Sequence, residues 1–241
     1  MARRRFFVPQ IRRGIAELTG PEAEHLVRVL RAEPGQVYEI SDNHNVYLAE
    51  IEVARKSVVS FRVLEALELP RPSVRIVLLA ALIKFDRFEW LIEKATELGV
   101  ATIQPIDAVR TERGLAEASI KRRVRWQKVA LEASQQSRRV HLPIIEQTIP
   151  FAKAVDVKAS VRLLLDESLD APPILQMLPQ ERTADDCVAL FAGPEGGWTE
   201  EERTQAIGSG WFPCSLGKTL LRAETAALAA LAVIQAAWQT K

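Results

Sequence analysis

Apolar and polar residues alternate through "GQVYEISD", "NVYLAEIEV" and "SVVSFRVLEAL", three stretches between Gly35 and Leu67 that are rich in β-branched residues. Turn-forming residues separate them at 42–45 and 54–56. A period of two with such breaks predicts antiparallel strands, here a small β-barrel. A short helix is expected between Pro21 and Leu30, with Leu26, Val29 and Leu30 on its apolar side and Arg28 and Arg31 near the exposed side. The prolines of "ELPRPS" break the pattern and predict a boundary near residue 70. Beyond it the rhythm changes. "VRIVLLAAL", "ATIQPI", "VRLLL", "CVALFAG" and "WFPCSLG" are nearly continuous apolar runs, and helical or turn segments follow them. One helix is expected from about Phe85 to Leu98, with Phe85, Phe88, Ile92 and Ala95 on one stripe. Strands apolar throughout and alternating with helices predict an α/β domain whose parallel sheet is covered on both faces. The expected organisation is a β-rich domain over 1–70 and an α/β domain over 71–241. The helix from about Glu224 to Trp238 is apolar on nearly every side, which predicts burial all round, within one chain or against a partner subunit.

Composition narrows the class. The chain has 241 residues, 48% of them hydrophobic and 26% charged, as in an ordinary globular protein. The longest uncharged run, Thr225 to Thr240, is shorter than the roughly 20 apolar residues of a membrane span. The arginine-bearing N-terminus has no apolar core of a secretory signal. Cys187 and Cys214 lie outside any metal-ligand spacing, and His25, His44 and His141 do not cluster. These features predict buried thiols in a reducing, cytoplasmic compartment, no membrane and no metal.

Net charge is only +1, but seven arginines lie between Met1 and Arg31, and seven Lys/Arg between Ala118 and His141 face only Glu132. A charge run is most often a solvated face. Two such runs near Phe6, Phe7 and Trp126 point to a polyanion partner.

The candidate chemistry lies in "FAGPEGGWTEEE", where Gly193, Gly196 and Gly197 crowd into one turn after an apolar strand. Glycines let a ligand approach the backbone, and the carboxyl end of a parallel strand is where α/β folds bind ligands. Thr199 with Glu202 reads as a capping box for the following helix. The turn is neither G-x-G-x-x-G nor a P-loop, and its flanking carboxylates disfavour a triphosphate. A neutral or cationic ligand fits better. Taken alone, such a turn is more often a tight connection than a site.

A second glycine turn, "SLGKTLLRAETAALAAL", carries a resemblance. Leu216, Gly217, Leu221, Arg222, Glu224, Thr225 and Ala226 match the Leu-Gly-x-Arg-Ile-Leu-Arg-x-Glu-Thr-Ala pattern of the 16S ribosomal RNA uridine N3-methyltransferases (RsmE-like) of the SPOUT class, and GPEGG is that family's other signature. "HLVRVLRAEPGQ" resembles its PUA-like RNA-binding segment, "KFDRFEWLIEKATELGVATIQPI" its opening SPOUT helix and strand, and "EASQQSRRVHLPII" its Ser-Gly-Arg and Pro segment. Three positions depart from the pattern: Arg138 stands for the usual glycine before Arg139, Thr219 follows Lys218 where an arginine is usual, and Phe85 replaces a common glycine after Lys84.

The resemblance implies a PUA-like barrel followed by a parallel-sheet SPOUT domain with a deep trefoil knot, assembled as a homodimer with its site at the interface. It implies S-adenosylmethionine as cofactor, held by Leu165, by Gly193, Pro194, Glu195, Gly196 and Gly197, and by Leu216, Gly217 and Leu221. The implied partner is 16S ribosomal RNA or the assembled small ribosomal subunit, contacted through Arg3, Arg4, Arg5, Arg28, Arg31 and Arg138. Arg222 and Arg139 are expected to stabilise charge or position phosphate, and Glu93 to act as base. Two other readings stay open: a SPOUT enzyme with another target such as a ribose 2'-O, and a non-catalytic RNA-binding protein of ribosome assembly.

Overall fold

The computed structural model describes residues 4–69, 74–168 and 170–239. Arg3 and the proline-rich boundary at 70–73 lie outside the described residues. The chain divides into two compact units, Met1–Arg71 with Ser134–Leu142, and Pro72–Ala133 with Pro143–Lys241.

The first unit contains β1 (Arg5–Phe7), β2 (Ile11–Arg12), β3 (Ile15–Thr19), α1 (Gly20–Arg28), β4 (Val37–Ser41), β5 (Val46–Arg55) and β6 (Val58–Leu67). Its sheet order is β1-β4-β5-β6-β3-β2. Every pair is antiparallel except β1 with β4, which run parallel. Alternation does what the sequence predicts: Ile40, Ala49, Ile51, Val59 and Phe61 point into one core and join Phe6 and Leu26 there. Phe6 is thus a core residue and not a stacking platform for a polyanion. Helix α1 ends at Arg28, so Val29, expected on the apolar side, is its C-cap and is exposed.

The segment 134–142 is sewn to this unit by polar contacts. Ser41 Oγ donates to Val140 O at 2.7 Å, Leu142 N donates to Asn43 Oδ1 at 2.7 Å, and Arg5 Nη1 donates to Arg138 O at 2.5 Å. Arg138 has φ +55°, in the left-handed region that glycine enters most easily. That accounts physically for the glycine usual in the resembling pattern.

The second unit contains β7 (Arg75–Ala81), α2 (Phe85–Glu97), β8 (Thr102–Asp107), α3 (Leu115–Gln136, its last residues falling in the first unit), β9 (Ile144–Ile145), β10 (Ile149–Pro150), α4 (Phe151–Ala154), β11 (Val161–Leu165), α5 (Ile174–Met177), β12 (Cys187–Ala192), α6 (Glu200–Gly208), β13 (Phe212–Cys214) and α7 (Ala223–Gln239). Its strands pair β10-β8-β7-β12-β11-β13, with β9 also on β8, and every pair is parallel. The continuous apolar runs are explained by burial of both faces. On β7, Ile76, Leu78 and Ala80 join one core cluster while Val77, Leu79 and Ala81 join the other. On β12, Val188 and Leu190 divide from Ala189 and Phe191 in the same way.

Two expectations change here. The basic stretch from Ala118 is most of a long helix, α3, for which the polar pattern gave no signal. Its Trp126 is buried against Phe85 and Phe88 rather than offered to a polyanion. Several of its cations are held within the protein: Arg122 and Arg125 pair with Glu89, and Arg123 Nε donates to Ile145 O at 3.0 Å. Helix α7, expected to be buried all round, buries a stripe of Ala227, Ala230, Leu231, Ile234 and Ala237 and leaves Thr225, Ala232 and Ala236 exposed in the single chain.

Candidate functional site

Three adjacent strands of the second unit end on one cavity of about 630 Å³. Strand β11 delivers the loop Leu165–Glu167, β12 delivers the glycine turn from Gly193 to Gly197, and β13 leads into 216–222, which enters α7. Arg87 of α2 completes the charged lining. Parallel strands place these loops at their common carboxyl edge, where ligand sites of α/β sheets form.

Local chemistry holds the loops in place. Trp198 Nε1 donates to Leu165 O at 2.9 Å, tying the first loop to the second. The same indole lies against Gly193, where a Cβ would approach its ring to 3.1 Å. Gly197 has φ +68°, and a Cβ there would come within 2.6 Å of Glu167 Oε1. Gly197 is thus called for by its left-handed backbone, and Gly193 lies in close contact with the indole. Arg110 Nη1 donates to Gly196 O at 2.6 Å and brackets the turn from outside. The capping box forms as predicted: Glu202 N donates to Thr199 Oγ1 at 3.2 Å and Thr199 N to Glu202 Oε2 at 3.0 Å. The other oxygen of Glu202 accepts from Val109 N at 2.8 Å, so this buried carboxylate also anchors the loop after β8. A cap of this kind stabilises its helix by about 1 kcal/mol.

Charge within the lining is paired at Asp166, Glu195 and Arg87. Asp166, almost wholly enclosed, accepts from Arg203 Nε at 2.7 Å and Arg203 Nη2 at 2.9 Å. Glu195 pairs with Arg87. At the end of β13, burial pushes the Cys214 thiol up to about 12. It is a neutral packing residue. Cys187 is a second free thiol, half-buried.

Of the residues expected to hold the cofactor, Leu165, Gly193, Pro194, Glu195, Gly197, Leu216, Gly217 and Leu221 line the cavity together. Gly196 does not line it and faces Arg110. Arg222 lines the cavity and is exposed just before α7. Glu93 is not in the lining; its carboxylate pairs with Lys94 on the same helix at 2.7 Å. Arg139 belongs to the first unit, where its Nε donates to His141 O at 3.0 Å and burial lowers its guanidinium to about 10. It stays protonated at neutral pH.

Among the expected RNA contacts, Arg4, Arg28 and Arg31 are exposed, and Arg28 pairs with Glu24. Arg5 is largely enclosed and donates to Glu39 Oε2 at 2.9 Å, while Arg138 Nη1 lies 3.9 Å from Glu39 Oε1. Arg87, Trp198 and Arg203 were not singled out from the sequence. Arg87 lies within the segment resembling the family's opening helix, but no spacing marks its partner Glu195, far along the chain. Among the described residues no helix is long and apolar enough to cross a membrane, and no three His, Cys, Asp or Glu side chains come together as a metal site.

Comparison with known proteins matches this arrangement to a class. Residues 70–235 match the model of an RNA methyltransferase domain, and residues 18–64 that of an RNA methyltransferase PUA domain. The fold and site are those of an RNA methyltransferase. The ribosomal RNA small subunit methyltransferase E of Synechocystis is 36% identical over 233 residues, covering 94% of this chain and 75% of that protein. Its Bacillus subtilis namesake is 31% identical over 250 residues, covering 95% of each. The chain belongs to the ribosomal RNA small subunit methyltransferase E family. Among solved structures, the Neisseria gonorrhoeae ribosomal RNA small subunit methyltransferase E bound to S-adenosyl methionine is 30% identical, with 98% of each chain covered and a TM-score of 0.87. A putative methyltransferase from Legionella pneumophila in complex with the cofactor SAM is 31% identical over the same shares, with a TM-score of 0.89.

Proposed function

We propose that this protein transfers a methyl group from S-adenosylmethionine to N3 of a uridine in 16S ribosomal RNA. One observation carries the reading: both glycine turns of the resembling pattern and the loop after β11 meet around a single cavity. The cavity fits the cofactor. Its volume of about 630 Å³ falls within the roughly 300–1,000 Å³ usual for small-molecule sites. Gly193 and Gly197 let the turn lie close to Trp198 and Glu167, which line the same cavity. Leu165, Leu216, Leu221, Ala192 and Ala226 supply an apolar lining suited to adenine. When bound, S-adenosylmethionine supplies a methyl group activated by a sulfonium.

Uridine N3 lies on the base-pairing edge, so the target must be unpaired or drawn out of its stack. Its N–H is a weak acid, and charge builds on O2 and O4 as the proton leaves. Arg222, exposed at the cavity, is suited to stabilise that charge. Arg139, protonated at neutral pH, has the chemistry for the same task or for holding a phosphate. Glu93 as base requires an approach to the cavity, whose lining does not include it. In Glu93→Gln, single-turnover methylation is expected to fall by about 10²-fold if this carboxylate takes the proton. An unchanged rate removes it from the mechanism.

Exposed Arg4, Arg28 and Arg31 support RNA binding by the first unit. Such contacts make affinity fall with rising salt through counterion release. A homodimer is supported by the open side of α7, where Ala232 and Ala236 are exposed. The strand order β7-β12-β11-β13 is compatible with the trefoil knot. An enzyme acting on ribosomal RNA belongs in the cytoplasm. Mass mapping of 16S RNA from cells lacking and then regaining the protein tests the function. An N3-methyluridine that disappears and returns is the expected result. Loss of a ribose methylation instead would move the target, and an unchanged RNA would sink the assignment.

A further inference from the structure

Three acidic side chains line the cavity, Asp166, Glu167 and Glu195. Arg203 neutralises Asp166 and Arg87 neutralises Glu195. Glu167 carries no ion pair among the described residues. Its carboxylate lies over Gly197, where a Cβ would come within 2.6 Å of Oε1. The cations of the lining without an ion pair among the described residues, Lys218 and Arg222, come from the third loop. The anionic and cationic sides of the cavity are built from different loops.

We propose that Glu167 makes the cofactor site charge-selective, favouring the positively charged sulfonium of S-adenosylmethionine over the neutral thioether of the demethylated product. The proposal rests on the cofactor assignment above. Its physical basis is Coulombic: Glu167 is exposed on the cavity wall, and an uncompensated carboxylate there attracts a cation and gains nothing from a thioether. Losing that attraction once the methyl group leaves would favour exchange of product for fresh cofactor.

S-adenosylmethionine and S-adenosylhomocysteine share adenine, ribose and amino-acid tail, and differ by one methyl group and one charge. Titration calorimetry of the full-length protein with both ligands therefore isolates the charge. In Glu167→Gln, which keeps size and a hydrogen-bond acceptor, S-adenosylmethionine is expected to bind about tenfold more weakly, and S-adenosylhomocysteine less than about twofold more weakly. Glu167→Asp should keep most of the preference, and the wild-type preference should shrink as salt rises. Equal weakening of both ligands would overturn the proposal, because it would mean contact with the shared ribose or ammonium; unchanged binding of both would overturn it as well. A wild-type protein that binds neither ligand would overturn the cofactor assignment and this proposal with it.

Discussion

Replacing Arg222 by alanine is expected to lower the rate of methyl transfer by about 10²–10³-fold, the loss typical for removal of a donor that stabilises developing charge. The side chain is exposed at the cavity, in the short run between the second glycine turn and α7. Truncating it removes no core packing, so the folded state should survive. The structural duty of this residue is carried by its backbone: Arg222 O accepts from Ala226 N at 2.8 Å in the first turn of α7. Alanine keeps that bond. Single-turnover methylation, thermal denaturation and cofactor titration together separate the roles. The expected pattern is a large loss of rate with little change in melting temperature or cofactor affinity. Arg222→Lys should recover part of the rate, since it restores charge without the planar fork. Normal turnover by Arg222→Ala would refute the assignment.

The second large effect is expected at Trp198. Its ring is 5% exposed, packs against Phe151 and Phe191, and lies under Gly193. Large-to-small changes at such sites cost about 3–5 kcal/mol through lost burial and the cavity left behind. Trp198→Ala should therefore shift the denaturant midpoint strongly and weaken cofactor binding, because the indole also holds the loop after β11 through Leu165 O. Trp198→Phe keeps much of the ring but leaves that carbonyl without its donor, at a cost of about 1–3 kcal/mol. Comparing the two variants divides packing from hydrogen bonding. A Trp198→Ala protein destabilised by less than about 1 kcal/mol would show that the ring is not the support inferred here.

Much of this was legible in the chain because its signals are local. Continuous apolar strands announced a parallel sheet buried on both faces, and alternation announced the antiparallel sheet of the first unit. Thr199 and Glu202, three residues apart, announced a cap that forms as read. The glycine turns stood out because a close approach to backbone leaves few alternatives to glycine.

Helix α3 escaped because its residues are mostly polar and its buried positions, Ser119, Trp126, Ala130, Ala133, Ser134 and Gln135, are small or polar apart from Trp126. Phe6 and Trp126 were assigned to basic patches by nearness in sequence, yet each side chain turned to its own core. Alanine tolerates either environment, so the pattern of α7 left burial within one chain and burial against a partner subunit equally open.

The sequence by itself determined the main strands of both units, helices α1, α2 and α7 and the two glycine turns, since these follow from dihedral preference, periodicity and the turn chemistry of neighbouring residues. The loop after β11 was marked only by the family resemblance. Only the tertiary structure decided which charges meet. Arg203 with Asp166, Arg87 with Glu195 and Trp198 with Leu165 are pairs brought together by the order of parallel strands, and strand order leaves no mark on local pattern. The same order leaves Glu167 as the one anion of the cavity without an ion pair among the described residues, because pairing depends on distances in space that no spacing along the chain encodes.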